Sequence, residues 1–281
     1  MNSSIAVSLR EYARGIAGGL LFSLPLIYTM EMWWAGFLAM PARLLGGLCA
    51  TYLMLILYNL YAGLRCDASI AEVLMDSVEE LGIGLVGSAL LLALLGRLTF
   101  GMEPLEIIGR IVVEGMVMSI GVSIGTAQLG GEQPTGREAS DQGSAPAYRD
   151  REPWRHLALA ACGAPLFAAN VAPTEEIVVL ASELPTASVI ALAAISLVIG
   201  AVILHYSDFA ASIPARDAGY FAALRVSIQS YAVALLVSAG LLWFFGRFSD
   251  VSVTSAAAET VVLGFAGMLG ASAGRLLLQP S

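Results

Sequence analysis

The chain reads as an all-α polytopic membrane bundle, with eight transmembrane helices arranged as two parallel four-helix repeats. Three observations predict this. Hydrophobic residues make up 58% of the 281 and charged residues 13%, with a mean hydropathy of +0.79, against roughly 45–50% and 25% in a soluble domain. Apolar runs long enough to cross a hydrocarbon core of about 30 Å recur along the whole length. The two halves can also be laid on each other, helix by helix.

The runs fall at about 13–36, 42–62, 78–100, 105–129, 154–181, 186–206, 221–245 and 256–278. The first contains Pro25-Leu26 and continues through Glu31, Trp33 and Trp34. A signal peptide would place small cleavage-site residues there, so this is a retained helix. The second opens at Met40-Pro41. The third is headed by Glu79 and Glu80, where carboxylates complement the positive end of a helix dipole. The fourth carries Arg110 and Glu114 four residues apart, a spacing at which they pair with each other. Next comes "GGEQPTGREASDQGSAPAYRDREP", with the Gly, Ser, Pro and charge of a solvated linker. It divides the chain into a first repeat at 1–130, a linker at 131–153 and a second repeat at 154–281. The fifth run contains Pro165-Leu166 and leads into "NVAPTEEI". The sixth opens at Leu184-Pro185 and holds His205 and Asp208 at its end, a pair that would suit a pH-sensitive inner gate. The seventh follows, and the eighth carries Glu259.

"SVEELGIGLVGSALLLALLGRL" from Ser77 aligns without a gap on "SIQSYAVALLVSAGLLWFFGRF" from Ser227, and "VVEGMVMSIGVSIG" from Val112 on "VVLGFAGMLGASAG" from Val261. In this register Glu259 stands where the first half has Arg110. Four helices per unit is an even number, so both units enter from the same side. The expected symmetry is a pseudo-twofold along the membrane normal, with equivalent residues at equal depth.

Arg supplies all 14 positive charges. Ten of them fall on the side of the termini and linker and four on the other, which puts both termini in the cytoplasm. The net charge of −8 excludes nucleic acid as a partner. Cys49, Cys66 and Cys162 have neither disulfide nor zinc spacing.

Glu31, Glu175 and Glu176 follow the two proline-bearing helices at the outer interface. Brought together around a pseudo-axis, they would form a hard oxygen site for a cation, with Ca²⁺, K⁺ and H⁺ as the candidates. The competing reading makes them the first turn of interfacial helices, with Thr174 as a cap. Arg110, Glu114, Glu259, His205 and Asp208 are secondary pathway residues. "GVSIG" and "GASAG" match the G-x-S-x-G pattern of serine hydrolases at Ser123 and Ser272. Both sit inside helices and read better as small-residue packing seams.

"EYARGIAGGLLFSLPLIYTMEMWWAGF" (Glu11 to Phe37) and "NVAPTEEI" resemble a bacterial family of integral membrane proteins of unknown function, about 280 residues long with about eight transmembrane helices. The resemblance supports the architecture and implies no particular activity, cofactor or catalytic residue. From Glu31, Glu175 and Glu176 the expected function is a cation channel or transporter in the bacterial inner membrane, homo-oligomeric in the bilayer. A non-transporting sensor or scaffold is the alternative, and an intramembrane hydrolase the remote one.

Overall fold

The computed structural model describes residues 2–61, 69–99, 101–128, 152–208 and 220–278. The described chain forms ten helices: α1 (Asn2–Ile27), α2 (Met30–Leu38), α3 (Pro41–Tyr61), α4 (Ile70–Leu94), α5 (Pro104–Gln128), α6 (Glu152–Ala168), α7 (Glu176–Glu183), α8 (Thr186–Asp208), α9 (Tyr220–Phe244) and α10 (Val253–Leu278). Six of these, α3, α4, α5, α8, α9 and α10, are long and apolar enough to cross a membrane, and α1 with α2 makes a seventh if the bent pair counts as one span. The apolar part of α6, His156–Ala168, is shorter.

Two of the eight expected spans are thus not continuous helices. The run at 13–36 breaks after Ile27, and α2 leaves at 88° to α1. The run at 154–181 breaks after Ala168 and resumes as α7 at Glu176. The cause is the same in both. Pro25 and Pro165 stand in the last turns, where a missing N–H and a bulky ring weaken the ladder. Polar side chains then take the freed carbonyls. Thr29 Oγ1 donates to Leu26 O at 2.7 Å, and Asn170 Nδ2 donates to Leu166 O at 2.6 Å.

The third span begins eight residues before the expected 78. Ser69 caps α4: its hydroxyl accepts from Glu72 N–H at 3.3 Å, and Glu72 Oε2 accepts from Ser69 N–H at 2.8 Å. This reciprocal capping box satisfies two donors that lipid would leave orphaned. Glu79 and Glu80 consequently sit mid-helix rather than at a helix start.

Helix α5 is the axis of the first half, 78% buried over its apolar stretch, while α3, α4, α8 and α9 are 11–33% buried. Small residues set the spacing. A Cβ on Gly18 of α1 would lie 2.5 Å from Gly125 Cα of α5, so the two backbones touch, as small-residue seams allow in membranes. Gly36 of α2 meets Arg110 and Gly109 of α5 in the same way, and Gly270 of α10 meets Gly163 of α6.

Packing inside the halves runs in parallel. In the first, α1, α2, α3 and α4 pack on α5; in the second, α6, α7, α8 and α9 pack on α10. Helices α4 and α9 end alike, with left-handed Gly96 (φ 67°) and Gly246 (φ 74°). The following Arg97 and Arg247 donate their N–H to Leu92 O and Leu242 O at 2.7 and 2.9 Å, the backbone pattern of a Schellman cap. The halves meet through α3 and α5: α3 lies on α6 and touches α9, and α5 touches α6 and α10. Leu44 and Tyr58 of α3 share one core with Leu159, Cys162 and Leu166 of α6 and Phe244 of α9.

Candidate ion site inside the bundle

The outer carboxylates do not come together. Among the described residues, no three His, Cys, Asp or Glu side chains gather where they could hold a metal ion, so the three-glutamate site is not formed. Glu31 lies in the first turn of α2. Glu175 instead accepts from Arg247 Nη1 at 2.9 Å, while Arg247 Nη2 donates to Pro173 O. The Glu175 side chain is 77% exposed. Glu176 opens α7, and its own main-chain N–H holds its carboxyl below the ordinary carboxylate range. The interfacial-helix reading gives the better description of this region, with one change. Thr174 Oγ1 donates to Val171 O at 2.8 Å, and Glu175 occupies the N-cap position without a side-chain cap bond.

Arg97 and Arg247 clasp the two helix breaks. Arg97 Cζ lies 3.7 Å from the ring centroid of Trp33, a cation–π contact. Arg247 performs the equivalent task through Pro173 and Glu175.

The expected Arg110–Glu114 pair is also absent. Arg110 turns the other way, to Glu106 Oε1 at 2.5 Å and Arg97 O at 2.8 Å. Glu114 is 1% exposed, and neither of its oxygens has a partner among the described residues. Glu259 of α10 is 3% exposed with Oε2 unpartnered. His205 and Asp208 end α8, and their side chains lie outside the described residues.

The richest polar cluster joins three helices. Asn59 of α3 donates through Nδ2 to Glu80 Oε2 at 2.8 Å and to Ser77 Oγ at 3.1 Å, both on α4. Its Oδ1 accepts from Ser123 Oγ of α5 at 3.4 Å. Ser77 Oγ in turn donates to Val73 O at 2.7 Å. Glu80 is 8% exposed and stands ten residues into α4, about 15 Å from its start, near the charged end of the helix, where Glu72, Asp76 and Glu79 precede it. No basic side chain is bonded to it among the described residues. A buried carboxylate without a basic partner is costly inside an apolar bundle, which makes Glu80 a candidate group for H⁺ or a cation. Hard oxygen donors with a single negative charge suit H⁺ or a monovalent cation. Ca²⁺ takes 6–8 oxygens, including several carboxylates.

Sequence reasoning placed Glu80 at a helix start and read Ser123 only as part of a seam. Asn59 was missed, because a single Asn in an apolar run gives no signal until its partners on two other helices are known. In the register of the two halves, Ser77, Glu80 and Ser123 stand opposite Ser227, Ser230 and Ser272. All three of these serines are buried, and the hydroxyls of Ser227 and Ser272 have no partner among the described residues. The second half thus places hydroxyls at matching positions but has Ser230 where the first has the carboxylate.

Apolar helices around a buried polar cluster define the chain as a polytopic helical integral membrane protein. The family described as "Putative integral membrane protein (DUF2391)" matches residues 11–278, and the chain belongs to it. No curated protein and no solved structure matches the chain.

Proposed function

We propose that this protein moves H⁺ or a small monovalent cation across the membrane, with Glu80 as the ion-binding group. One observation carries this: a buried carboxylate on α4 held by Asn59 of α3, which Ser123 of α5 contacts in turn, and bonded to no basic side chain among the described residues. Ionisable groups inside a membrane mark ion pathways by default. The near-closed setting of Glu80 favours a carrier over an open pore. The positive-inside count supports termini in the cytoplasm and an inner-membrane location. The matched order and packing of elements in 1–130 and 154–281 support reading them as two copies of one unit, joined by the linker at 131–153. In the first copy the pocket is acidic and in the second it is neutral. Ser123 serves this pocket as a hydroxyl donor, and no enzymatic step is assigned to it or to Ser272.

The test is flux into proteoliposomes, with H⁺, Na⁺, K⁺ and Ca²⁺ assayed separately. Glu80→Gln is expected to reduce flux by at least about tenfold, the effect of roughly 1.4 kcal/mol at the site. Glu31→Gln and Glu175→Gln are expected to leave it within about twofold, because those groups line no common site. Wild-type flux in Glu80→Gln would remove Glu80 from the pathway.

A further inference from the structure

The halves are joined head to tail, and the join has no counterpart on their other faces. Helix α3 of the first half lies on α6 and touches the end of α9 in the second. At that join a Cβ on Gly47 would meet Phe244 Cε2 at 2.7 Å, and a Cβ on Gly246 would meet Arg43 Nη1 at 2.5 Å. Cys162 Sγ of α6 lies 3.3 Å from Met54 O of α3. A twofold would repeat these contacts between α8 and the α1–α4 face. Instead α8 packs on α9 and α10 of its own half, and among the described residues no comparable contact joins it to α1 or α4. Apart from the direct contact of α5 with α10, the described contacts between the halves are thus not repeated by a twofold.

The unmatched faces are uncovered at the positions the join would use. Aligned on Gly96-Arg97 and Gly246-Arg247, Phe244 corresponds to Leu94. Phe244 is 6% exposed beneath α3, whereas Leu94 is 83% exposed. Gly246 is covered by Arg43, and Gly96 has nothing within 4 Å of its Cβ position. Helices α3 and α8 align on Pro41 and Pro185. Met54 and Tyr58 then correspond to Val198 and Val202, which are 62% and 48% exposed. Exposed Ala187 and Ala191 precede them on the same stripe of α8, the small-residue spacing that lets helices approach closely. Lipid contact alone requires no such spacing.

We infer that the occupant of this surface is a second copy of the chain: α8 of one copy packs on the α1–α4 face of the next, as α3 packs on α6 and α9 within a copy. The inference rests on reading the halves as copies of one unit, and not on ion transport. Head-to-tail interfaces form rings when the rotation closes. Both halves cross the membrane in the same sense, so the ring axis runs along the membrane normal and the assembly is a closed ring of whole chains.

The experiment is disulfide cross-linking in membranes between two differently tagged full-length copies, each with Cys49→Ser and Cys66→Ser. One copy carries Ala191→Cys and the other Leu94→Cys, the counterparts of the Gly47–Phe244 contact. The expected result is an intermolecular cross-link for this pair and none when Leu94→Cys is replaced by Leu236→Cys. Native mass measurement of the wild type in detergent is expected to give an integer of two or more chains. A single-chain mass without the cross-link would overturn the inference. Cross-linking only between like positions, Ala191→Cys with itself, would also overturn it, because that marks a twofold dimer. Neither outcome touches the flux result for Glu80.

Discussion

At the scale of single residues, Asn59 and Glu80 carry different burdens. Asn59 uses both amide hydrogens, on Ser77 and Glu80, and receives Ser123, so removing it strands several buried groups at once. Asn59→Leu is expected to destabilise by about 1–3 kcal/mol, read as a lower thermal midpoint in detergent. Glu80→Gln keeps an oxygen for Asn59 to reach. It is expected to stay near wild type in stability while losing flux, and equal destabilisation by both changes would make Glu80 a structural group only. At the outer surface, Glu175→Gln is expected to cost less than about 1 kcal/mol, since the pair is solvent-exposed. Arg247→Ala also deprives Pro173 O of its donor and is expected to cost more. The glutamates at 31, 175 and 176 drew attention in the sequence because they interrupt apolar runs. Whether a carboxylate faces a neighbouring helix or solvent is a property of packing, so Glu80 could not be ranked above them from the sequence.

At the scale of helices, composition located every apolar run but misjudged two kinds of boundary. Hydropathy sums do not register a break, so the bends after Ile27 and Ala168 were hidden inside runs that looked continuous. Pro25 and Pro165 were the visible warning. The start of α4 was missed because Glu72, Asp76, Glu79 and Glu80 resemble a solvated approach to a helix. Ser69 and Glu72 three residues apart were the available sign of a capping box. Ser69→Ala is expected to cost about 1 kcal/mol, measured as a shift in thermal midpoint. Packing seams give a sharper test. Gly18 and Gly82 both lie within helices, yet a Cβ on Gly18 meets α5 backbone while a Cβ on Gly82 meets nothing within 4 Å. Gly82→Ala is expected to be neutral or to stabilise by up to about 1 kcal/mol. Gly18→Ala is expected to destabilise by about 1–3 kcal/mol through overpacking. Equal midpoints for the two variants would mean that the α1–α5 seam is not close-packed in the membrane.

At the scale of the molecule, Gly-Arg ends and Gly-x-Ser-x-Gly seams recurring in order are the sequence sign of a repeat, and the helices of each half pack in the same order. How the halves face each other was not legible, since no single-chain pattern encodes which lipid-facing stripe meets which. The packing makes each half a near-complete unit. Its helices gather on their own central helix, α5 or α10, and the join uses α3 against α6 and α9 together with α5 against α6 and α10. If that join holds without the covalent linker, 1–130 and 154–281 expressed as two chains in one membrane should find each other. The shared core of Leu44, Tyr58, Leu159, Cys162, Leu166 and Phe244 supplies shape-matched packing, the main source of helix association where lipid removes the hydrophobic drive. The expected outcome is co-purification of an untagged 154–281 chain with a tagged 1–130 chain. Gly47→Leu in the tagged half is expected to abolish it, because a Cβ there already meets the Phe244 ring and the Met116 sulfur at 2.7 Å. If the halves co-purify as well with Gly47→Leu as without it, the α3 join is not what holds them. If they never co-purify although each inserts alone, the linker is required to keep them in register.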